Sequence, residues 1–335
     1  MTPLMNTKIT TRILGGFDDV TFNETQWSEL LAEGKTNKVN LTWRWQRCWW
    51  NSFGRGKLLL ILAEADGIPI ALAPLFADSN MVYNIFPEDA LDFIGDISNP
   101  LVLDAILQTA RDTVDGFLGF RFYFIPDDSD TGHLLMSAAL RLNLDGYEEG
   151  FLPSPYIDIK ADPVEAVNMT HKKSLRRHEN YFLREGTLEI FHYHEGKDIS
   201  LNLDEFFDQH IKRRAVTSFP SIFLKEEQKN YYRILTDEIS STGWLSFTRI
   251  NWNGSAIAFH YGLLYNGRYL FGIPTFEIAL ADHSPGEVLL RQLLLAAIEE
   301  GASSFDFGIG DEAYKYRFAN RVTNLYNWGL YPQQK

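Results

Sequence analysis

One cysteine, Cys48, stands among 335 residues. The chain can therefore form no internal disulfide and no multi-cysteine metal cluster. Long apolar runs are lacking as well. The longest, residues 58–62 and 289–295, fall far short of the ~20 residues that cross a bilayer as a helix. The opening fourteen residues carry no apolar signal-peptide region. Basic charge is scarce: 31 Lys and Arg face 44 Asp and Glu, for a net charge of −13. That balance disfavours a general nucleic-acid binder but leaves room for a local basic site. No Walker loop and no nucleophile elbow occur, and His171, His178, His192 and His194 are not spaced as a zinc site. The expectation is a reduced, cytoplasmic, globular protein with no metal and no membrane span.

What is present is enough for a core. Hydrophobic residues make up 45% and aromatics 14% of the chain, and its length favours two domains. Trp43, Trp45, Trp49 and Trp50 cluster in residues 42–53, a pattern of core or of a lobe interface. Residues 58–65, Asp66-Gly67 and residues 68–76 read as a hairpin. Helical patterns follow at 101–117 and 132–144, with a strand at 120–125 between them. Pro153 and Pro155 mark a boundary, dividing the chain into lobes 1–155 and 156–335. In the second half, helices are expected at 170–185, 204–215 and 225–242. A hairpin then runs through residues 244–251, Asn253-Gly254 and 255–264. The two hairpins align without gaps, Asp66-Gly67-Ile68-Pro69-Ile70-Ala71 on Asn253-Gly254-Ser255-Ala256-Ile257-Ala258. Helix and strand follow both, which points to an internal duplication.

The clearest local signal starts at Ser284. Ser284 as cap, Pro285 at the first helical position and Glu287 completing a capping box predict a helix start. Leu290, Leu294, Ala297 and Ile298 form its apolar stripe, and Gly301 ends it. With strands at 268–273 and 304–307, this order predicts parallel neighbours joined by a crossover helix. The free N–H groups and positive dipole end of such a helix favour an anion, and Gly286 permits close approach to the backbone.

Other residues offer chemistry. His260 lies between Phe259 and Tyr261 and points to the face opposite theirs. It is either a general base or a satisfied structural histidine. The first hairpin has Ala73 at the aligned position. Asp306, between Phe305 and Phe307, needs a partner: His260, a backbone amide or Lys315. Lys172, Lys173, Arg176 and Arg177 fall on one side of a helix. That stripe is a solvated face or a contact to acidic residues of the first lobe, or it receives a phosphate of CoA, of a nucleotide-linked sugar or of RNA.

Taken in order, these segments resemble the GNAT-like acetyltransferases of the cellulose-biosynthesis-protein type, which are related to Fem-type aminoacyl transferases. The resemblance rests on Trp45 to Phe53, on Ile70-Ala71-Leu72-Ala73-Pro74-Leu75 and on Lys172-Lys173-Ser174-Leu175-Arg176-Arg177 with Gly186 downstream. It rests most specifically on Ser284-Pro285-Gly286, Phe305-Asp306-Phe307-Gly308 and Glu312-Ala313-Tyr314-Lys315. It implies an α/β fold of two GNAT-like lobes, each a mixed twisted sheet flanked by helices, with the working site in the C-terminal lobe. It implies acyl-CoA as co-substrate, its pyrophosphate at Ser284, Gly286, Glu287 and Val288, with Lys315 pairing either a phosphate or Asp306. Tyr314 would protonate the departing thiolate, with His260 and Asp306 as the other catalytic candidates. Lys173, Arg176 and Arg177 would contact substrate or phosphate. The sequence departs from the usual phosphate turn in having one glycine and an acidic Glu287. The acceptor implied is an amine or hydroxyl, of a sugar or polysaccharide precursor. Two rivals are a tRNA-dependent aminoacyl transferase and a non-catalytic GNAT-like binding protein.

Overall fold

A computed structural model describes residues 8–85 and 89–333. The chain divides into two compact units, Met1–Pro153 with Thr323–Lys335, and Ser154–Val322. Unit 1 holds β1 (Ile9–Ile13), α1 (Glu24–Glu33), α2 (Trp43–Phe53), β2 (Lys57–Ala65), β3 (Ile68–Asp78), β4 (Met81–Asn84), β5 (Ile94–Gly95), α3 (Pro100–Asp112), β6 (Gly119–Pro126) and α4 (Thr131–Arg141). The division falls inside β7 (Leu144–Asp158). Unit 2 holds α5 (Pro163–Thr170), α6 (Lys173–Glu185), β8 (Leu188–Tyr193), α7 (Gly196–Ser200), α8 (Leu203–Arg214), α9 (Glu226–Glu238), β9 (Leu245–Trp252), β10 (Ser255–Tyr265), β11 (Arg268–Phe276), α10 (Pro285–Glu299) and β12 (Ser304–Asp306). Most of β13 (Arg321–Pro332) returns to unit 1.

The two sheets repeat one plan. In unit 1, β1-β2-β3-β4 are antiparallel neighbours, β6 lies parallel to β4, and β13 lies antiparallel to β6. In unit 2, β8-β9-β10-β11 are antiparallel, β12 lies parallel to β11, and β7 lies antiparallel to β12. The hairpins match in detail. Both turns place two residues at positive φ, Asp66 and Gly67 at 51° and 82°, Asn253 and Gly254 at 50° and 79°, as a two-residue hairpin loop requires. Both also carry the same irregularity. Glu64 pairs Pro69 and Ala63 pairs Ala71, which leaves Ile70 out of the ladder. Asn251 pairs Ala256 and Ile250 pairs Ala258, which leaves Ile257 out. A β-bulge at the same aligned position in each hairpin is a feature that local turn chemistry alone does not impose.

Each unit has its own core. Leu59, Ile61, Ile106, Phe120 and Leu135 are buried in unit 1. Phe182, Tyr269, Leu290, Leu293 and Phe305 are buried in unit 2. Trp45 is buried within α2, while Trp43, Trp49 and Trp50 are partly buried.

Several boundaries differ from expectation. Near the start of the chain lies edge strand β1, paired to β2 from Ile9↔Ala65 to Ile13↔Ile61; residues 1–7 lie outside the described residues. Pro153 and Pro155 lie within β7, and the division between the units falls at Pro153. The helix expected at 170–185 is two, α5 and α6, interrupted at His171 and Lys172. The helix expected at 132–144 ends at Arg141, because Leu144 already begins β7. The strand expected at 268–273 runs on to Phe276, and a 3₁₀ turn, Ile278–His283, follows it.

Candidate functional site

The parallel pair in unit 2 is short. β11 and β12 pair at only three positions, Arg268↔Ser304, Tyr269↔Phe305 and Leu270↔Asp306. Beyond them β11 continues to Phe276 while β12 stops. At that point β11 also bulges. Tyr261 pairs Ile273 and Leu263 pairs Leu270, so Gly262 faces Phe271 and Gly272 together. Such a bulge takes a residue out of the ladder and increases the local twist. Both glycines are forced by close approach. A Cβ on Gly272 would lie 2.5 Å from the Tyr261 carbonyl, and one on Gly262 would lie 2.1 Å from the His260 ring.

α10 begins beside this opening. Pro285 at its first position and the buried Leu290, Leu293, Leu294 and Ala297 fit the expected helix and face. The capping box does not form. Ser284 adopts a left-handed conformation (φ 55°, ψ 56°) after the 3₁₀ turn, and its hydroxyl makes no cap bond. Its carbonyl instead accepts from Glu287 N at 3.0 Å. Freed from capping, the Glu287 carboxylate accepts from Arg317 Nη1 at 3.0 Å and lies 3.7 Å from His178 Nε2. Gly286 has a packing reason, since a Cβ there would sit 3.1 Å from the Phe276 ring. Val288 is buried.

The basic helix comes to the same place. Arg317 Nη2 reaches Ser174 Oγ at 3.4 Å, Lys172 donates to the Arg317 carbonyl, and Arg177 contacts His178. Lys173, Arg176 and Arg177 are exposed. The two helices are clamped by a nearly buried ion pair, Arg291 with Glu179 at 2.8 Å. The opening turns of α6 and α10 thus share a cationic surface that Glu287 only partly offsets. Arg317 and His178 complete it and were not picked out by sequence reasoning, although Arg317 follows directly on the Tyr314-Lys315-Tyr316 run.

His260 sits elsewhere. It is fully buried, its ring stacked near Phe271 (5.4 Å) and Tyr269 (6.1 Å). Neither ring nitrogen has a hydrogen-bond partner among the described residues. Burial pushes its pKa down to about 3, His192 adds to the effect, and the Leu270 carbonyl opposes it. In this conformation it is a neutral core residue without access to an acceptor.

Asp306 does not meet His260 or Lys315. Its Oδ2 accepts from Arg268 Nε at 2.7 Å within a buried ion pair, and its Oδ1 accepts from Gly308 N at 2.7 Å and Ser154 Oγ at 3.3 Å. Lys315 is buried beneath the following loop. Its Nζ donates to the carbonyls of Gly308 at 3.0 Å and Ile309 at 2.9 Å and pairs with Glu312 at 2.8 Å. Through these contacts Asp306 and Lys315 together shape residues 306–312 at the end of β12. Tyr314 emerges from that loop, 38% exposed, its ring edge-on to Phe307. Desolvation and Glu312 push its hydroxyl up to about 12, against the pull of Arg213 and Arg214. It stays protonated at neutral pH and can give up a proton. Among the described residues no group of histidine, cysteine and carboxylate side chains can hold a metal ion, and no helix is long and apolar enough to cross a membrane.

No curated protein sequence matches the chain. Among solved structures, FemX matches with a TM-score of 0.67 at 11% identity, over 92% of this chain and 96% of that one. The C-terminal domain of a putative lysylphosphatidylglycerol synthetase from Agrobacterium fabrum matches with a TM-score of 0.56 at 15% identity, over 92% and 91%. A tandem GNAT protein from the clavulanic acid biosynthesis pathway matches with a TM-score of 0.54 at 10% identity, over 98% and 100%. At such identities the likeness is one of fold. A family model described as acetyltransferase (GNAT) domain matches residues 169–316, the segment that carries the end of the β11–β12 pairing, α10 and Tyr314.

Proposed function

We propose that the chain is an acyltransferase that moves an acyl group, acetyl in the first instance, from acyl-CoA to an amine or hydroxyl acceptor. The observation that carries this reading is the separation of β11 from β12 at a bulge, with the start of α10 alongside. An extended thioester donor fits between strands that part in this way. Its carbonyl would lie by the bulge and its phosphates at a helix N-terminus. Acyl-CoA would supply the activated acyl group and a thiolate leaving group.

The chain's own residues divide the remaining work. Ser284, Gly286, Glu287 and Val288 provide the helix start. Arg317 neutralises Glu287, and Lys173, Arg176 and Arg177 add positive charge around it. Tyr314 protonates the departing thiolate. Direct attack needs no covalent enzyme intermediate, because positioning and proton transfer suffice. His260 supports the bulge from below, and the acceptor's proton leaves to water. Unit 1 offers a poorer donor site. Near the start of its equivalent helix α3, a cavity of about 70 Å³ is lined by Glu33, Asp92, Asp96 and Asp130, with Lys35 as its basic residue. Phosphate would be repelled there, which leaves unit 1 a structural or acceptor-side role. The resemblance adds a sugar or polysaccharide precursor as acceptor.

A second reading, aminoacyl transfer from charged tRNA, is favoured by the basic side chains Lys173, Arg176, Arg177 and Arg184 that α6 presents to solvent. The net charge of −13 weighs against it, and among the described residues the longest helix has 15 residues, too short for a Fem-type arm. The test is thiol release from acetyl-CoA over a panel of amines and alcohols. Tyr314→Phe should lower kcat by ~10²-fold or more while leaving acetyl-CoA affinity unchanged. Undiminished turnover in that variant removes Tyr314 from the mechanism. Transfer from a charged-tRNA mimic, with none from acetyl-CoA, would favour the second reading.

A further inference from the structure

Among the described residues, the half-buried arginines of unit 2 are paired, except Arg213 and Arg214. Arg268 faces Asp306, Arg291 faces Glu179, and Arg249 faces Glu205 at 2.8 Å. Arg213, near the end of α8, has no such partner. Its guanidinium lies 4.3 Å from the centre of the Phe276 ring, and Nη1 donates to the Pro274 carbonyl at 2.8 Å. Among the described residues it makes no ion pair, so most of its five N–H donors are uncommitted. Desolvation and Arg214 together pull its pKa down to about 10. Arg214 likewise makes no ion pair among the described residues. Cations at the last turn of a helix complement its dipole, which accounts for Arg214 and Lys212. It does not account for a guanidinium withdrawn from water and laid on a ring without a counter-charge, an arrangement that costs free energy until an anion arrives.

The location makes this unpaired charge useful. Phe276 ends β11, beyond the point where β12 has stopped. The same ring that carries Arg213 packs against Gly286 at the start of α10. Tyr314 feels the field of both arginines, and its hydroxyl has no hydrogen-bond partner among the described residues. We propose, resting on the acyltransferase reading above, that Arg213 and Arg214 recognise an anionic group, carboxylate or phosphate, on the acceptor. The acceptor is then an amine or alcohol that carries a negative charge within reach of its nucleophile. Arg213 is the specificity-determining residue, because its planar fork matches either anion bidentately. Arg214 contributes longer-range attraction.

Three small amines separate the possibilities. Ethanolamine, O-phosphoethanolamine and β-alanine share a primary amine, and only the last two carry a phosphate or a carboxylate. Binding of each to the full chain is measured by calorimetry without donor, and turnover by thiol release with acetyl-CoA. At least one anionic amine should bind ~10-fold or more tighter than ethanolamine, the usual reach of a charge-assisted hydrogen bond. Which of the two binds better tells phosphate from carboxylate. Arg213→Met, which keeps the stem over Phe276, should erase that preference. It should raise KM by the same factor, with acetyl-CoA affinity unchanged. Arg213→Lys, which keeps the charge but loses the fork, should fall between the two and serves as the test should the Met variant melt early. Equal binding of all three amines to the parent overturns the proposal, as does a preference that survives Arg213→Met. Loss of acetyl-CoA affinity in that variant also overturns it, since Arg213 would then serve the donor. An anionic amine that binds through Arg213 in a protein that neither binds nor cleaves acetyl-CoA would uphold the anion site and sink the acyltransferase reading.

Discussion

His260→Leu isolates what a sealed, unpartnered imidazole does to stability. The ring is fully buried, and neither nitrogen has a partner among the described residues. Its pKa falls from 6.5 to about 3 on folding. The sign follows from where protons bind. Between those values the unfolded chain takes up a proton at this position and the folded chain does not, so stability falls as pH falls. Going from pH 7 to pH 5 crosses the unfolded pKa and stays above the folded one. At ~1.4 kcal/mol per pH unit, the loss over that interval from His260 comes to about 2 kcal/mol. His210, lowered to about 4 by burial, and His192, lowered in the same direction, add their own acid sensitivity. Both remain in the variant, so the difference between the two proteins isolates His260. Urea unfolding at pH 7, 6 and 5 should show the Leu variant losing about 2 kcal/mol less than the parent across this range. At pH 7 the variant should be at least as stable, since two buried polar atoms without partners have been removed. Parallel pH profiles would mean that the ring already reaches water or a partner, and the reasoning would fail.

Other perturbations probe the frame of the opening. Asp306→Asn removes the carboxylate that pairs with Arg268, which costs ~3–5 kcal/mol when a buried pair is broken from one side. At ~2–4 °C per kcal/mol the thermal melt should drop by about 6–20 °C, and an unchanged melt would contradict a structural role. Gly272→Val sets a side chain against the Tyr261 carbonyl. It should destabilise by ~1–3 kcal/mol and abolish thiol release, whereas a variant that melts and turns over like the parent would show that the bulge tolerates a side chain.

Much of the architecture was legible because local chemistry and tertiary structure agree. Asp66-Gly67 and Asn253-Gly254 are turns that sequence alone specifies, and the aligned flanking residues carry the repeat that the two sheets display. Pro285 and the leucine stripe likewise announce α10. The errors arise where a distant partner decides. Ser284 and Glu287 form a capping-box pattern, but the 3₁₀ turn before them twists Ser284 into the left-handed region, and Arg317, thirty residues on, claims Glu287. The partner of Asp306 could not be chosen from spacing, because Arg268 sits on the neighbouring strand. His260 was readable as a strand residue facing away from Phe259. Its sealing depends on Gly262, Tyr269 and Phe271, which come together only through the β11 bulge. Gly262 and Gly272 were the available signal for that bulge, since two glycines on neighbouring strands invite close backbone approach.

Calorimetry of the full chain with acetyl-CoA tests most directly whether unit 2 holds the proposed acyl-CoA donor at the start of α10. The parent should bind one acetyl-CoA per chain. Gly286→Trp, which crowds the Phe276 ring and the helix start, and Arg177→Glu, which reverses an exposed charge beside them, should each weaken binding, the first by ~10-fold or more, a loss of ~1.4 kcal/mol. Absence of binding by the parent at millimolar acetyl-CoA, or affinity indifferent to both substitutions, would contradict the account.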